Sequence, residues 1–451
     1  MPKTTNGTVE SAKGENQAPL GKMGNYRWVI CALLFLATTI NYVDRQILAL
    51  IKPILDVELK WTNEQYGDVQ AAFQGAYAIG LLGFGWFIDR YGTKIGYAVS
   101  IAAWSVAAMA HAMVGSVSGF FNARLALGLG EGGNFPSAIK ATALWFPKKE
   151  RALATSIFNS GTNVGAMIAP AIVPAIALKW GWQAAFVAAG IAGFLWLFLW
   201  IPFYNVPQKI RSLGAAENAH IHSDLDEQGT EQKGRVSWFR LLTHKQTWSF
   251  VVAKFMTDPV WWFFLSWLPD YFKKTRGLDI KNSAVLLVSI YTLITVLSIF
   301  GGWVTGYLTK LGWSVTRARK TGMFVFACCV LPILAVTKVG DWPAVFLIGL
   351  AGSAHQAWSA NLYTTVSDMF PKHTVASVIG LGGMAGAVGG MIFQKFTGRL
   401  LDHFTALNNV TQGYLVLFSI CAFAYLVTFF IHHLLAPRFE TFRMEEEIRK
   451  I

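Results

Sequence analysis

The sequence predicts an all-α membrane protein with twelve transmembrane helices in two pseudo-symmetric six-helix halves. Three observations predict it. Of the 451 residues, 54% are hydrophobic and only 14% charged, against about a quarter charged in an ordinary soluble chain. Apolar stretches of spanning length recur along almost the whole chain. A polar stretch at 206–245 separates them into two sets of six.

The first set of spans lies near 27–50, 66–88, 95–115, 118–142, 153–177 and 183–204. The second lies near 246–271, 283–308, 321–338, 342–366, 375–398 and 412–435. The expected organisation is a cytoplasmic tail (1–26), a first half (27–205), a cytoplasmic linker (206–245), a second half (246–436) and a C-terminal tail (437–451). Residues 1–23 are polar and mixed in charge and lack the apolar core of a signal peptide. In the linker, 215–225 is expected to form a short surface helix. Residues 236–248, with Trp238, Leu241 and Leu242 beside Arg240 and Lys245, fit a helix lying on the inner membrane face.

With both termini in the cytoplasm, the inner loops hold Arg90, Lys94, Lys148, Lys149, Arg151, Lys310, Arg317, Arg319 and Lys320. The outer loops hold few cations besides Lys273, Lys274, Arg276 and Lys281. This is the positive-inside bias of a plasma-membrane (cell inner membrane) protein. The formal charge of +13 therefore reflects topology and contact with anionic lipid. No single face collects it as a nucleic-acid footprint would. All four cysteines (Cys31, Cys328, Cys329, Cys421) fall inside apolar spans and imply neither disulfides nor a metal site. No P-loop is present, so ATP is not the expected energy source. No cofactor is expected, and the chain is expected to work as a monomer.

Asp44 and Arg45 sit inside the apolar run 28–50. An ionisable side chain there costs roughly 2.5–3.5 kcal/mol on insertion scales. The span at 120–142 carries Arg124 and Glu131, seven residues and almost two turns apart, so they share a helix face. Two readings are open. One is a buried site for an anion and a proton; the other is a pair of structural ion pairs locking the helices.

The halves resemble each other. Phe146-Pro147-Lys148 recurs as Phe370-Pro371-Lys372, an offset of 224. Ala152 then matches Ala376, Val164-Gly165 matches Val388-Gly389, and Met167-Ile168 matches Met391-Ile392. Such repeats mark transporter folds whose site lies where the halves meet. The offset places His355 opposite Glu131, so a titratable group occupies equivalent positions in both halves. His355 either carries a proton or donates to an anion, or is a neutral ring bonded inside a packed helix pair.

Gly85-Trp86-Phe87-Ile88-Asp89-Arg90-Tyr91-Gly92-Thr93-Lys94 resembles the loop signature of the major facilitator superfamily. The resemblance implies that fold. It also implies that Asp89, with Arg90, gates the transporter by sitting near the N-terminus of span 11 in the outward-facing state. The second-half counterpart, Gly302-Trp303 through Arg319-Lys320, lacks the acid. Within the superfamily the chain is similar to the anion:cation symporter family. Asn41-Tyr42-Val43-Asp44-Arg45 resembles its first-span motif, and Gly130-Glu131-Gly132-Gly133-Asn134-Phe135-Pro136 its fourth-span motif. Trp145-Phe146-Pro147 with Glu150-Arg151-Ala152 resembles the loop after it. Ala354-His355-Gln356-Ala357-Trp358-Ser359 and Asp258-Pro259-Val260-Trp261-Trp262 are similar to the hexuronate branch.

The resemblance implies a proton-coupled symporter importing a sugar-acid anion, a hexuronate such as glucuronate or galacturonate. By position, Arg45 would bind the substrate carboxylate, with Tyr42 and Tyr77 supporting it through phenol hydrogen bonds. Asp44 and Glu131 would exchange the coupling proton, and Arg124 would pair with an acid when that acid is charged. Some hexuronate-like members lack an acid before this arginine, so the division of proton duty stays open. Sugar-acid members of another branch keep a polar residue in span 11, where this chain has Gly382-Gly383-Met384.

The residue types suit that task. A guanidinium stays charged and grips a carboxylate through two parallel hydrogen bonds. Partners for the sugar ring are Thr162 and Asn163 in span 5, with His355, Gln356, Ser359 and Asn361 in span 10. Trp262, with Trp261 and Trp267, either stacks on the ring's C–H face or anchors and packs its helix. Rival readings are a symporter for an aldonate, aldarate or aromatic acid, an exporter, or a non-transporting sensor of the same ligand. An enzyme is not expected, since the spans carry no plausible nucleophile-and-base pair or metal cluster.

Overall fold

The structure, a computed structural model, describes residues 24–210, 213–223, 238–370 and 372–439. Most of both expected tails, linker residues 224–237 and Pro371 of the repeated loop motif lie outside the described residues.

Every described element is helical. The first half comprises α1 (Tyr26–Leu59), α2 (Asn63–Tyr91), α3 (Thr93–His111), α4 (Val117–Glu131), α5 (Asn134–Trp145), α6 (Lys148–Trp180) and α7 (Trp182–Phe203). Two short helices follow, α8 (Ala215–Ile221) and α9 (Trp238–Leu241). The second half comprises α10 (Lys245–Arg276), α11 (Ile280–Lys310), α12 (Val315–Val330), α13 (Asp341–Met369), α14 (Lys372–Ala406) and α15 (Val410–Leu435).

Among the described residues, eight helices are long and apolar enough to cross a membrane. The remaining spans are α3, the α4–α5 pair, α10 and α13. Three of these four are diluted by interior polar groups: Arg124 and Glu131, then Lys254, Asp258 and Asp270, then His355, Gln356 and Asn361.

Four expectations need correction. The fourth span is not one helix but breaks at Gly132-Gly133. A Cβ on Gly132 would come within 2.3 Å of the Gly80 backbone, and one on Gly133 within 2.5 Å of Ser100 Oγ. Pro136 has no N–H with which to bridge the break. The ninth span changes from α-helix to a 3₁₀ turn, Leu331–Lys338, at Pro332. The amphipathic helix expected at 236–248 is a single turn, α9, after which α10 starts at Lys245. The surface helix α8 ends at Ile221, short of the expected 225.

α8 is docked rather than free. Buried Glu217 accepts from the backbone N–H groups of Tyr26 and Arg27 and from the Arg27 side chain, capping the start of α1. Glu150 holds Arg27 and His220 at 2.9 Å each. Burial pushes the Glu150 carboxyl up, but its hydrogen bonds to His220 and Arg27 outweigh this and hold it below the usual carboxylate range.

Call the membrane face carrying residues 24 and 436 the terminal face, and the other the distal face. The halves meet tightly at the distal face. Buried Lys52 of α1 pairs with buried Asp270 of α10 at 2.7 Å and with Asp56 at 2.8 Å. Asp402 of α14 accepts from the backbone N–H groups of Asn63 and Glu64, capping α2 from the opposite half. Two of the cations that broke the loop-charge bias are used here, since Lys274 binds Asp270 and Asn63, and Arg276 binds Asp341.

Toward the terminal face α2 and α14 diverge. A Cβ on Gly67 would meet the Gln394 carbonyl oxygen at 2.6 Å, and one on Gly398 the Asn63 oxygen at 2.4 Å. Nothing lies within 4 Å of such an atom on Gly83, Gly85, Gly380 or Gly383. The space between the halves therefore opens to the terminal face.

Candidate functional site

The α4–α5 break places Glu131 at a helix end against α1. Arg45 donates from Nε to Glu131 Oε2 at 2.6 Å, and the two side chains are 3% and 0% exposed. Four rings surround the guanidinium. Their centres lie 4.9 Å (Tyr42), 5.3 Å (Phe73), 4.5 Å (Tyr77) and 5.3 Å (Trp262) from Cζ. Trp262 belongs to α10, so both halves build the box. Arg45 Nη1, Arg45 Nη2 and Glu131 Oε1 make no hydrogen bond of standard geometry to the protein, although Tyr77 stands beside the guanidinium and Asn41 beside the Glu131 carboxylate. The arrangement engages one edge of the fork and leaves the two-nitrogen end for a second carboxylate.

Asp44 is buried, and neither of its oxygens has a protein hydrogen bond. It interacts electrostatically with Glu131, Arg124 and Arg45. Arg124 donates from Nη2 to the Arg45 carbonyl oxygen at 3.4 Å, with Glu131 and Asp44 nearby. Phe73 lies between the two arginines, 5.5 Å from Arg124 Cζ.

The ring partners divide. Gln356 Nε2 donates to Asn163 Oδ1 at 3.3 Å, joining α13 to α6 across the halves, and Thr162 is buried beside them in sequence. Asn361 donates to Ala357 O, leaving its Oδ1 without a partner, and Ser359 is partly exposed. His355 lies within the second half. It stacks on Trp261 at 5.5 Å and 2° and bonds Tyr425 Oη through Nδ1 at 2.6 Å. Trp267 donates to Gln394 at 2.6 Å.

Asp89 lies at the terminal face and pairs with Lys140 at 2.8 Å, its side chain 79% exposed. Arg90 lies over the rings of Trp86 and Tyr91. Gly92 turns the chain there with φ +85°, which a side chain would strain. Asp89 thus belongs to a face where the halves are parted.

Sequence reasoning assigned no role to several buried polar groups near this centre. Asn41 is one helical turn before Arg45 and stands beside the Glu131 carboxylate, with no hydrogen bond of standard geometry to either of its side-chain polar atoms. Gln74 Oε1 is likewise unpaired. Lys254 and Asp258 form a 2.7 Å ion pair in α10. The i,i+4 spacing of that pair inside a span was the available signal.

Residues 34–394 match the family model described as Major Facilitator Superfamily. The chain is 32% identical over 406 residues to the hexuronate transporter of Escherichia coli strain K12, covering 89% of this chain and 92% of that one. It is 29% identical to a probable galactarate/D-glucarate transporter of Bacillus subtilis strain 168, covering 87% of this chain and 89% of that one. Among solved structures, a bacterial homologue of the human lysosomal transporter Spinster superposes with a TM-score of 0.67 at 17% identity, covering 92% and 96% of the two chains. The D-xylose-proton symporter superposes with a TM-score of 0.68 at 13% identity, covering 90% and 97%. These last two likenesses concern the fold. The chain belongs to the major facilitator superfamily, as a multi-pass membrane protein of that fold.

Proposed function

We propose that this protein imports a sugar-acid anion, a hexuronate such as glucuronate or galacturonate, together with a proton, by alternating access. The observation that carries this reading is Arg45: a buried guanidinium boxed by four rings, with one edge on Glu131 and no hydrogen bond of standard geometry to its two-nitrogen end. The substrate carboxylate binds that end. Arg45 then holds two carboxylates, and the cluster gains a negative charge in a low-dielectric setting. A proton on Glu131 restores neutrality and prepares the loaded site to cross. Arg45 need not leave Glu131 for this, because the two carboxylates use different edges of the fork.

Asp44 lies within electrostatic range of the same cluster and is a second candidate proton carrier. One proton with one monoanion moves no net charge. A second adds about 2.3 kcal/mol of drive per 100 mV. The ring of the sugar meets Trp262 and the polar groups of Asn163, Gln356, Ser359 and Asn361.

The loop cations support a cytoplasmic position for the terminal face, and with it both chain ends, of a protein in the cell's inner membrane. The geometry then corresponds to an inward-facing form, sealed outside by Lys52–Asp270 and the Asp402 cap. In that form Asp89 is released to Lys140. The site is complete within one chain, which supports a monomer as the working unit.

The test is uptake of labelled glucuronate and galacturonate into proteoliposomes with an imposed pH gradient, acid outside. Accumulation that collapses with a protonophore is expected. Accumulation without dependence on the gradient would remove the proton, and no uptake of any sugar acid would remove the substrate class. Relatives named for galactarate and D-glucarate favour a sugar dicarboxylate as the second reading.

A further inference from the structure

The second half contains a charged group that the Arg45 reading leaves unused. On α10, Lys254 Nζ lies 2.7 Å from Asp258 Oδ2, with the side chains 5% and 17% exposed. Lys254 also donates to Tyr363 Oη at 3.0 Å, and its ammonium lies 4.6 Å from the centre of that ring. Helix α14 makes room for the pair with glycines. A Cβ on Gly386 would meet Asp258 Oδ2 at 2.3 Å, and one on Gly382 would meet Lys254 Cγ at 3.2 Å. Taking two charges out of water carries a desolvation cost that a hydrophobic replacement would avoid.

The pair is linked to Arg45 through Trp262 of the same helix. Lys254, Asp258 and Trp262 follow at four-residue intervals and so lie on one helix face. Trp262 is the ring that α10 places against Arg45. Asp258 sits about 6 Å and Lys254 about 12 Å along α10 from Trp262, toward the terminal face. Tyr363, 36% exposed, stands near Tyr42 and Tyr77, two rings of the Arg45 box. A six-carbon chain has a length comparable to one helical turn, the separation of Asp258 from Trp262 along α10.

We propose that Lys254 and Asp258 read the end of the sugar acid opposite its carboxylate, and that Asp258 makes this pole accept hydroxyls and reject a second carboxylate. The inference rests on the sugar-acid reading above. A carboxylate paired with an ammonium offers both acceptors and donors, which suits adjacent hydroxyl groups. A carboxylate at that end of the ligand has no proton to give to Asp258 and meets a like charge there. Rejection by an unfavourable pairing is an efficient source of specificity. Hexuronates and aldarates differ at this end, one presenting a hemiacetal hydroxyl and the other a second carboxylate.

The experiment measures binding of glucuronate and glucarate to the purified full-length protein by calorimetry. Wild type is expected to prefer glucuronate. Asp258→Asn is expected to raise glucarate affinity relative to glucuronate by at least about tenfold. The double variant Lys254→Gln with Asp258→Asn leaves no buried charge unpaired, and covers the case in which the single variant does not fold. Its ratio is expected to move toward parity. A wild-type ratio in either folded variant, or a wild-type preference for glucarate, overturns the inference while leaving sugar-acid transport standing. Wild-type protein that binds neither acid overturns the function reading and this inference with it.

Discussion

Arg45 Nε and Glu131 Oε2 lie 2.6 Å apart although 86 residues separate them, and neither side chain is reached by solvent to any useful extent. The contact uses one of the guanidinium's edges and leaves Nη1 and Nη2 without a hydrogen bond of standard geometry to the protein. Glu131 reaches Arg45 because α4 ends there, at glycines that admit the backbone of α2. The same short segment therefore supplies the helix break, the close packing and the acid.

Arg45→Lys tests the fork. Lysine keeps the charge but presents a point donor in place of two parallel N–H groups. Loss of one charge-assisted hydrogen bond is worth about 1.5–3 kcal/mol, so uptake at low substrate should fall roughly 10- to 100-fold. The protein should still reach the membrane. Near-normal uptake in the lysine variant would show that the substrate carboxylate binds elsewhere.

Glu131→Gln imitates the protonated acid and still accepts from Arg45. Counterflow, which needs no net proton movement, is expected to survive while gradient-driven uptake is lost. Loss of both in a folded protein would assign Glu131 to substrate contact. Retained gradient-driven uptake would move the coupling to Asp44.

His355→Gln is expected to leave substrate affinity and its pH profile close to wild type. The imidazole is stacked on Trp261 and bonded to Tyr425, contacts that belong to packing in the second half. Its equivalence to Glu131 in the repeat is one of position. A selective loss of affinity below about pH 6.5, where an unperturbed imidazole is charged, would return it to the site.

The charged residues of the first half were legible because a charge in an apolar run has few explanations. Asp44, Arg45, Arg124 and Glu131 all proved to be buried around one centre. Their pairing was not legible. Helix period puts Arg124 and Glu131 on one face, but which acid meets which arginine depends on how α1 and α4 cross. Arg124 accordingly went to a backbone carbonyl. The break in the fourth span was visible as Gly132-Gly133 with Pro136, yet a hydropathy window runs straight over it. The pairing of Lys254 with Asp258 is carried in the sequence only by their i,i+4 spacing.

Glu150 offers a pH-dependent test of the linker clamp. Its carboxyl is held below the usual carboxylate range, so its contribution is complete above about pH 4.5 and is lost as pH falls through the depressed value. Amide hydrogen exchange in α8 should be faster in Glu150→Gln than in wild type at neutral pH. The two proteins should converge as the pH drops below that range. Equal exchange at neutral pH would mean that Glu217 alone holds α8.

The distal seal depends on a charge crossing between halves. Lys52 and Asp270 are each 1% exposed and 2.7 Å apart, and Tyr414 adds a hydrogen bond to the same carboxylate. Removing one partner of a buried pair costs about 3–5 kcal/mol, whereas replacing both with apolar groups is often nearly neutral. Here Asp56 remains beside Lys52, which places Asp270→Asn at the lower end of that range. The cost falls only on the state in which the halves touch at this face, so the equilibrium should shift toward opening there. Spin labels at Glu64 and Arg399, which pair across the halves at 2.6 Å with side chains 40% and 60% exposed, would report it. Asp270→Asn should add a longer-distance population, and Lys52→Met with Asp270→Leu should add less of it. A distance distribution identical to wild type in Asp270→Asn would transfer the seal to the Asp402 cap on α2.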